Sequence, residues 1–142
     1  MLCVFLFSVS LFKNEYDFSK YSNLKVQVFT SSKQNLPFEN INVLNNGNGQ
    51  IINCDYKKYK DIASSVKDIS GVTFIFDGNK ALYNKIIEEL CITLLENNFD
   101  NFVGYTNAFD TAVSYNGKKV NVQGYYNKGK IYIGTPLLLG SY

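Results

Sequence analysis

The stretch Lys80–Asn97, KALYNKIIEELCITLLEN, decides how the rest of the chain is read. Leu82, Ile86, Leu90 and Leu94 recur every four residues, and Tyr83, Ile87, Cys91 and Leu95 form a second row beside them. Side chains four apart stack on one face of an α-helix, so two adjacent rows make a broad apolar stripe. Asn84, Lys85, Glu88, Glu89 and Glu96 fall on the opposite side. The spacing predicts one amphipathic helix over the whole stretch, with Asn79 as its N-cap and Asn97 or Asn98 ending it in the left-handed conformation. So wide a stripe has to lie on something flat, and the flanking sequence supplies short strands.

Downstream of Asn98 only strands and turns are expected. Asn116-Gly117 lies between two alternating segments, and this dipeptide favours a two-residue hairpin because both turn positions take positive φ. That loop pairs Tyr115 with Lys118, Val113 with Val120 and Thr111 with Val122. Val113, Val120 and Val122 then share one face, with Ser114, Lys119 and Asn121 on the other. A second reversal at Lys128-Gly129 pairs Tyr126 with Ile131 and Gly124 with Ile133, which puts both isoleucines on the face of Val122. Gly124 and Gly134 inside strands are expected to bend the sheet.

Upstream, Val72–Phe76 is a continuous apolar run that suits a central strand. Lys57–Ser70 carries Tyr59, Ile62, Val66 and Ile69 at spacings of three and four, which predicts a second helix stopped by Gly71. Gln50–Tyr56 places Ile52, Cys54 and Tyr56 on one strand face, and Phe38–Leu44 reads as an edge strand before the turn NNGNG. Leu24–Thr30 alternates, with Leu24, Val26 and Val28 pointing one way and Lys25 and Gln27 the other. Asn14–Asn23 reads as a linker or short helix. The sum is an α+β fold: one curved, mainly antiparallel sheet with two helices on one face.

Composition narrows the chemistry. A chain of 142 residues with 46% hydrophobic and 18% charged residues has the size and balance of one folded domain. It contains no histidine, which excludes Ser-His-Asp, Cys-His and HExxH sites. All 14 basic residues are lysine, and the net charge is only +2. Base readout favours the planar arginine fork, and phosphate tracking needs clustered cations, so nucleic acid is a poor fit. Lys57, Lys58 and Lys60 come nearest to a cluster, and a solvated helix start explains them.

The carboxylates read as structural. Glu88 and Glu89 splay on a helix surface, and Asp55, Asp61, Asp68, Asp77, Asp100 and Asp110 fall one per turn or helix end, where capping accounts for them. No metal set, cofactor motif or Gly-rich phosphate loop is visible, so no catalytic or metal residue is assigned. Cys54 and Cys91 are both expected to face the core, as free thiols in preference to a disulfide. Tyr105, Phe109, Tyr115, Tyr125, Tyr126 and Tyr132 concentrate in the closing strands. Ordinary sheet composition explains them, and so does an outward binding face, since tyrosine offers large contact area at low entropic cost.

Residues 1–12, MLCVFLFSVSLF, are apolar and give way abruptly to KNEYD. The run is shorter than the roughly 20 residues a membrane-spanning helix needs, but suits the core of an export signal or anchor. A first buried strand is the other reading. Cys3 stands near the start of the run instead of at its end and so makes no lipoprotein site.

The tail from Tyr115 to Tyr142, YNGKKVNVQGYYNKGKIYIGTPLLLGSY, resembles the end of the YwmB family of bacterial proteins. The residues that carry the likeness are Asn116, Gly117, Lys118, Lys119 and Asn121, then Tyr132, Gly134, Thr135, Pro136 and Tyr142. The strand, helix and strand from about Ile69 to Thr106 follow the family's order. The resemblance implies a TATA-box-binding-protein-like domain over residues 24–142, an N-terminal export signal or anchor, and no established activity, cofactor or site residue. The expectation is a non-catalytic, extracytoplasmic domain that binds a partner in the cell envelope. Nucleic-acid binding, by analogy with the fold's namesake, is the alternative, and an enzyme using carboxylates or tyrosines ranks third.

Overall fold

The computed structural model describes residues 16–140; the apolar run 1–12 with Cys3, and Tyr142, lie outside the described residues. Among the described residues, ten strands and two helices follow in the order β1 (Lys25–Thr30), β2 (Asn42–Asn46), β3 (Gly49–Cys54), α1 (Tyr56–Ser65), β4 (Ile69–Asp77), α2 (Lys80–Glu89), β5 (Thr93–Asn97), β6 (Asn101–Tyr105), β7 (Val113–Tyr115), β8 (Lys118–Val120), β9 (Val122–Asn127) and β10 (Lys130–Thr135). Eight strands form one sheet in the order β2-β3-β1-β4-β10-β9-β6-β5, and every pair in it is antiparallel. The class is α+β, as the alternating segments and terminal hairpins predict.

One face of this sheet is the core. A cross-strand row runs Cys54–Val26–Phe74–Ile133–Gly124–Phe102 over six strands. Both helices bury their apolar sides in the same cluster, α1 through Tyr59 and Ile62, α2 through Tyr83 and Ile86. Asp55 caps α1 by accepting from the Lys58 N–H, and Asn79 caps α2 by accepting from the Leu82 N–H, both at 2.8 Å. The segment read as a linker also belongs to the core: Phe18 stacks on Phe74 at 4.0 Å and Tyr21 on Phe76 at 4.3 Å. Burying a ring such as Phe18 stabilises the fold by about 1.5–3 kcal/mol.

The long helix of the sequence reading is two elements. Helix α2 stops at Glu89, and Cys91 takes φ +50°. The Cys91 N–H then bonds the Glu88 carbonyl at 3.0 Å, and the Ile92 N–H bonds the Ile87 carbonyl at 3.2 Å. These two bonds are a Schellman stop, with cysteine in the position usually held by glycine. The apolar rows continue past it, but Leu94 and Leu95 lie on edge strand β5, where Leu94 is exposed. Cys91 is exposed and does not face the core, whereas Cys54 is buried as expected; both are free thiols.

Helix α1 is also shorter than its periodicity. Ser64 and Ser65 turn their hydroxyls back onto the Asp61 carbonyl, Val66 is already extended, and Asp68 takes φ +58°. Ile69 and Gly71 therefore begin β4 and do not end the helix. Tyr56 opens α1 and does not extend β3, and the edge strand β2 starts at Asn42, later than expected.

Both hairpin turns form as predicted, with φ +49° and +76° at Asn116-Gly117 and +47° and +81° at Lys128-Gly129. The registers Val113↔Val120, Tyr126↔Ile131 and Gly124↔Ile133 match as well. The Thr111–Val122 pairing does not form, because the chain breaks at Asn121 and leaves β7–β8 as a separate two-stranded sheet. Asn121 turns inward, away from the side of Ser114 and Lys119, and is fully buried.

Candidate functional site

With both helices on one face, the composition of the other decides what the domain can bind. That face presents the row Lys25–Ile75–Tyr132–Tyr125–Asn101, set by the pairing of β1, β4, β10, β9 and β6. The rings of Tyr125 and Tyr132 lie side by side with centroids 5.6 Å apart. Beside them runs the row Asn53–Gln27–Thr73–Gly134–Gln123, and on the other flank Asp77–Lys130–Asn127. A hollow of about 770 Å³ opens here, lined by Asn23, Lys25, Gln27, Ile75, Lys130 and Tyr132 among others.

The C-terminal segment packs on the same face of the sheet, against Gln123 and Gly134. After the cis Thr135–Pro136 bond, the Leu138 N–H donates to the Gln123 Oε1 at 2.9 Å. A Cβ on Gly134 would come within 2.8 Å of both the Leu137 carbonyl and the Leu138 side chain. Gly134 is therefore required by close backbone approach rather than by a bend.

Charge on this face is largely self-neutralised. Lys130 Nζ lies 2.8 Å from Asp77 Oδ1, and Asn23 donates to the other carboxylate oxygen at 2.6 Å. Hydrogen bonds from Lys130 and then Asn23 hold the Asp77 carboxyl below its usual range, so the pair stays ionised and mutually compensated near neutral pH. Gln27 donates to Asn53 at 2.9 Å.

The other singled-out residues disperse. Phe109 is buried, Tyr126 packs against Tyr83 on the helix side, and Tyr115 donates to Glu96 from the small hairpin. Tyr105 lies under the Lys119 ammonium, 5.4 Å from it. Of Tyr105, Phe109, Tyr115, Tyr125, Tyr126 and Tyr132, only Tyr125 and Tyr132 meet on the open face. Lysines are similarly scattered. Lys80 sits among the rings of Tyr83, Phe99 and Tyr126 at 4.2, 4.4 and 5.9 Å, Lys20 and Lys85 flank Glu89, and Lys58 reaches the Glu39 carbonyl. Lys57 and Lys60 border a second hollow with Tyr16 and Tyr56.

One cluster was not foreseen. Tyr16 donates to Glu89 at 2.6 Å and shares a short bond with the Tyr21 hydroxyl. Burial, then the bond to Glu89, raises the Tyr16 phenol far above its ordinary value, while the same bond holds Glu89 low. A tyrosine acting as a base needs the opposite shift, so Tyr16 is a fixed donor that ties the leading segment to α2. Periodicity gave no signal for it, because the partners lie 73 residues apart.

Among the described residues no group of three or more His, Cys, Asp or Glu gathers to hold a metal, and no helix is long and apolar enough to cross a membrane. No family model, curated protein or solved structure matches the chain.

Proposed function

We propose that this chain is a non-catalytic, YwmB-like domain with a TATA-box-binding-protein-like arrangement, exported or membrane-anchored, that binds a partner in the cell envelope. The observation that carries the reading is the division of labour between the sheet's two faces. Both helices cover one, and the other carries Tyr125 and Tyr132 in a row across adjacent strands. The apolar run at residues 1–12 supports export, and the tail's likeness to the YwmB pattern supports the family. Nucleic-acid binding has less support, since Asp77 compensates Lys130 and Glu89 pairs with both Lys20 and Lys85.

Co-sedimentation with envelope fractions of the source cell tests the proposal. Wild-type protein is expected to pellet with the envelope and the Tyr125→Ala/Tyr132→Ala variant to stay in solution with its fold intact. Equal partitioning of the two would contradict it. So would binding to a single-stranded oligonucleotide that weakens steeply with salt.

A further inference from the structure

The chemistry of the open face selects among envelope components. Resting on the binding role proposed above, we infer that its ligand is a neutral glycan chain, stacked on Tyr125 and Tyr132 and hydrogen-bonded by the surrounding amides.

Three observations converge. The first is shape: two tyrosine rings stand side by side on paired strands of a rigid sheet, half-buried by their neighbours. A pyranose ring presents a face of axial C–H bonds that packs on the π-face of an aromatic ring, while its hydroxyls point outward around the rim. The row from Lys25 to Asn101 crosses five strands, and at the usual strand spacing it spans about 19 Å. That length takes several sugar units in line.

The second is the rim. Asn23, Gln27, Asn53, Asn101 and Asn127 lie on this face or at its border, all with planar amides. An amide offers both donors and an acceptor in one plane, which suits vicinal hydroxyls that are themselves both donors and acceptors.

The third is what the face lacks. Asp77 and Lys130 compensate each other at 2.8 Å, so within the tyrosine row Lys25 is the single cation. A phosphate-rich or strongly acidic polymer demands clustered unpaired cations. A protein partner favours an apolar patch at its centre. Of the large hydrophobic side chains exposed among the described residues, Leu44 opposite Ile51 and Leu139 against Gly71 belong to this face, but at its far end and outside the tyrosine row.

Isotope-labelled protein titrated with soluble oligomers of glucose and of N-acetylglucosamine, four units long, reads the inference directly. At least one series should shift the Tyr125, Tyr132 and Ile75 resonances, with affinity unchanged between low and high salt. Tyr132→Ala should weaken it at least tenfold and Gln27→Ala severalfold, while Tyr115→Ala on the separate hairpin leaves it intact. Amide spectra of each variant separate lost binding from lost fold. If neither series shifts the face but wild-type protein still pellets with envelope through Tyr125 and Tyr132, the glycan assignment is overturned and the binding role stands. If envelope binding is also absent, both are overturned. Shifts confined to other surfaces likewise overturn the assignment.

Discussion

The ring of Phe102 fills the space in which a side chain on its cross-strand neighbour Gly124 would begin. Phe102 is fully buried and sits at the end of the core row that starts at Cys54. Gly124→Ala is therefore expected to destabilise the domain by about 1–3 kcal/mol, the usual result of overpacking a core that cannot yield. Chemical denaturation of the two proteins measures it. Unchanged stability would mean that the ring has somewhere else to go.

Asn121 is the joint between the small hairpin and the main sheet. Its Oδ1 accepts from the Thr106 N–H at 2.8 Å, and its Nδ2 donates to the carbonyls of Thr106 at 2.7 Å and Phe109 at 2.9 Å. Asn121→Ala leaves a buried N–H without its partner and weakens two carbonyl contacts. The expected loss is about 1–3 kcal/mol, with Asn121→Asp failing to rescue it because a carboxylate cannot donate to the two carbonyls. Thermal denaturation of the pair checks both.

The stop after α2 gives two expectations at Cys91. Its φ of +50° is strained for a side chain with a Cβ, so Cys91→Gly should raise stability by about 0.5–1 kcal/mol despite the extra freedom of the unfolded glycine. The same exposure should let a thiol reagent label Cys91 in the native protein, with Cys54 labelled only after unfolding. Peptide mass spectrometry distinguishes them. Protection of Cys91 would restore the continuous helix.

Sequence patterning reached the sheet better than the helices. Both reversals were readable because a glycine, preceded by asparagine in the first turn, stands where positive φ is needed between alternating strands, and register then followed from which face stays apolar. The stretch 80–97 misled because leucines every four residues satisfy a helix and also persist where an edge strand begins. The stop depends on Cys91, a residue with no propensity for it. Asn121 misled in the other direction: alternation placed an amide outside, and three backbone partners hold it inside. Tyr125 and Tyr132 were among the residues singled out, but only pairing across β9 and β10 separates them from Tyr126 and Phe109.

Alkaline pH should unfold the domain by ionising its buried acids. Burial raises the Cys54 thiol to about 11 and the Tyr59 phenol to about 12, and it raises the Tyr83 phenol as well. Each group holds its proton in the folded state at a pH where the unfolded chain has lost it, so stability falls as pH rises. The decline runs from the ordinary thiol value of about 8.5 upward for Cys54, and from the ordinary tyrosine value of about 10 upward for Tyr59 and Tyr83. Tyr83 also has a buried hydroxyl without a hydrogen-bond partner among the described residues. Tyr83→Phe should thus equal or exceed wild-type stability at neutral pH and lose less of it on alkaline titration, read as denaturation midpoints across the range.

Tyrosine footprinting of the free and envelope-bound protein tests the central claim most directly, because it asks which face of the sheet meets the partner. Reactivity of Tyr125 and Tyr132 should fall on binding, while Tyr115 on the separate hairpin keeps its reactivity. Unchanged reactivity of Tyr125 and Tyr132 in the bound state, or protection confined to Tyr115, would contradict the assignment of the open face as the binding surface.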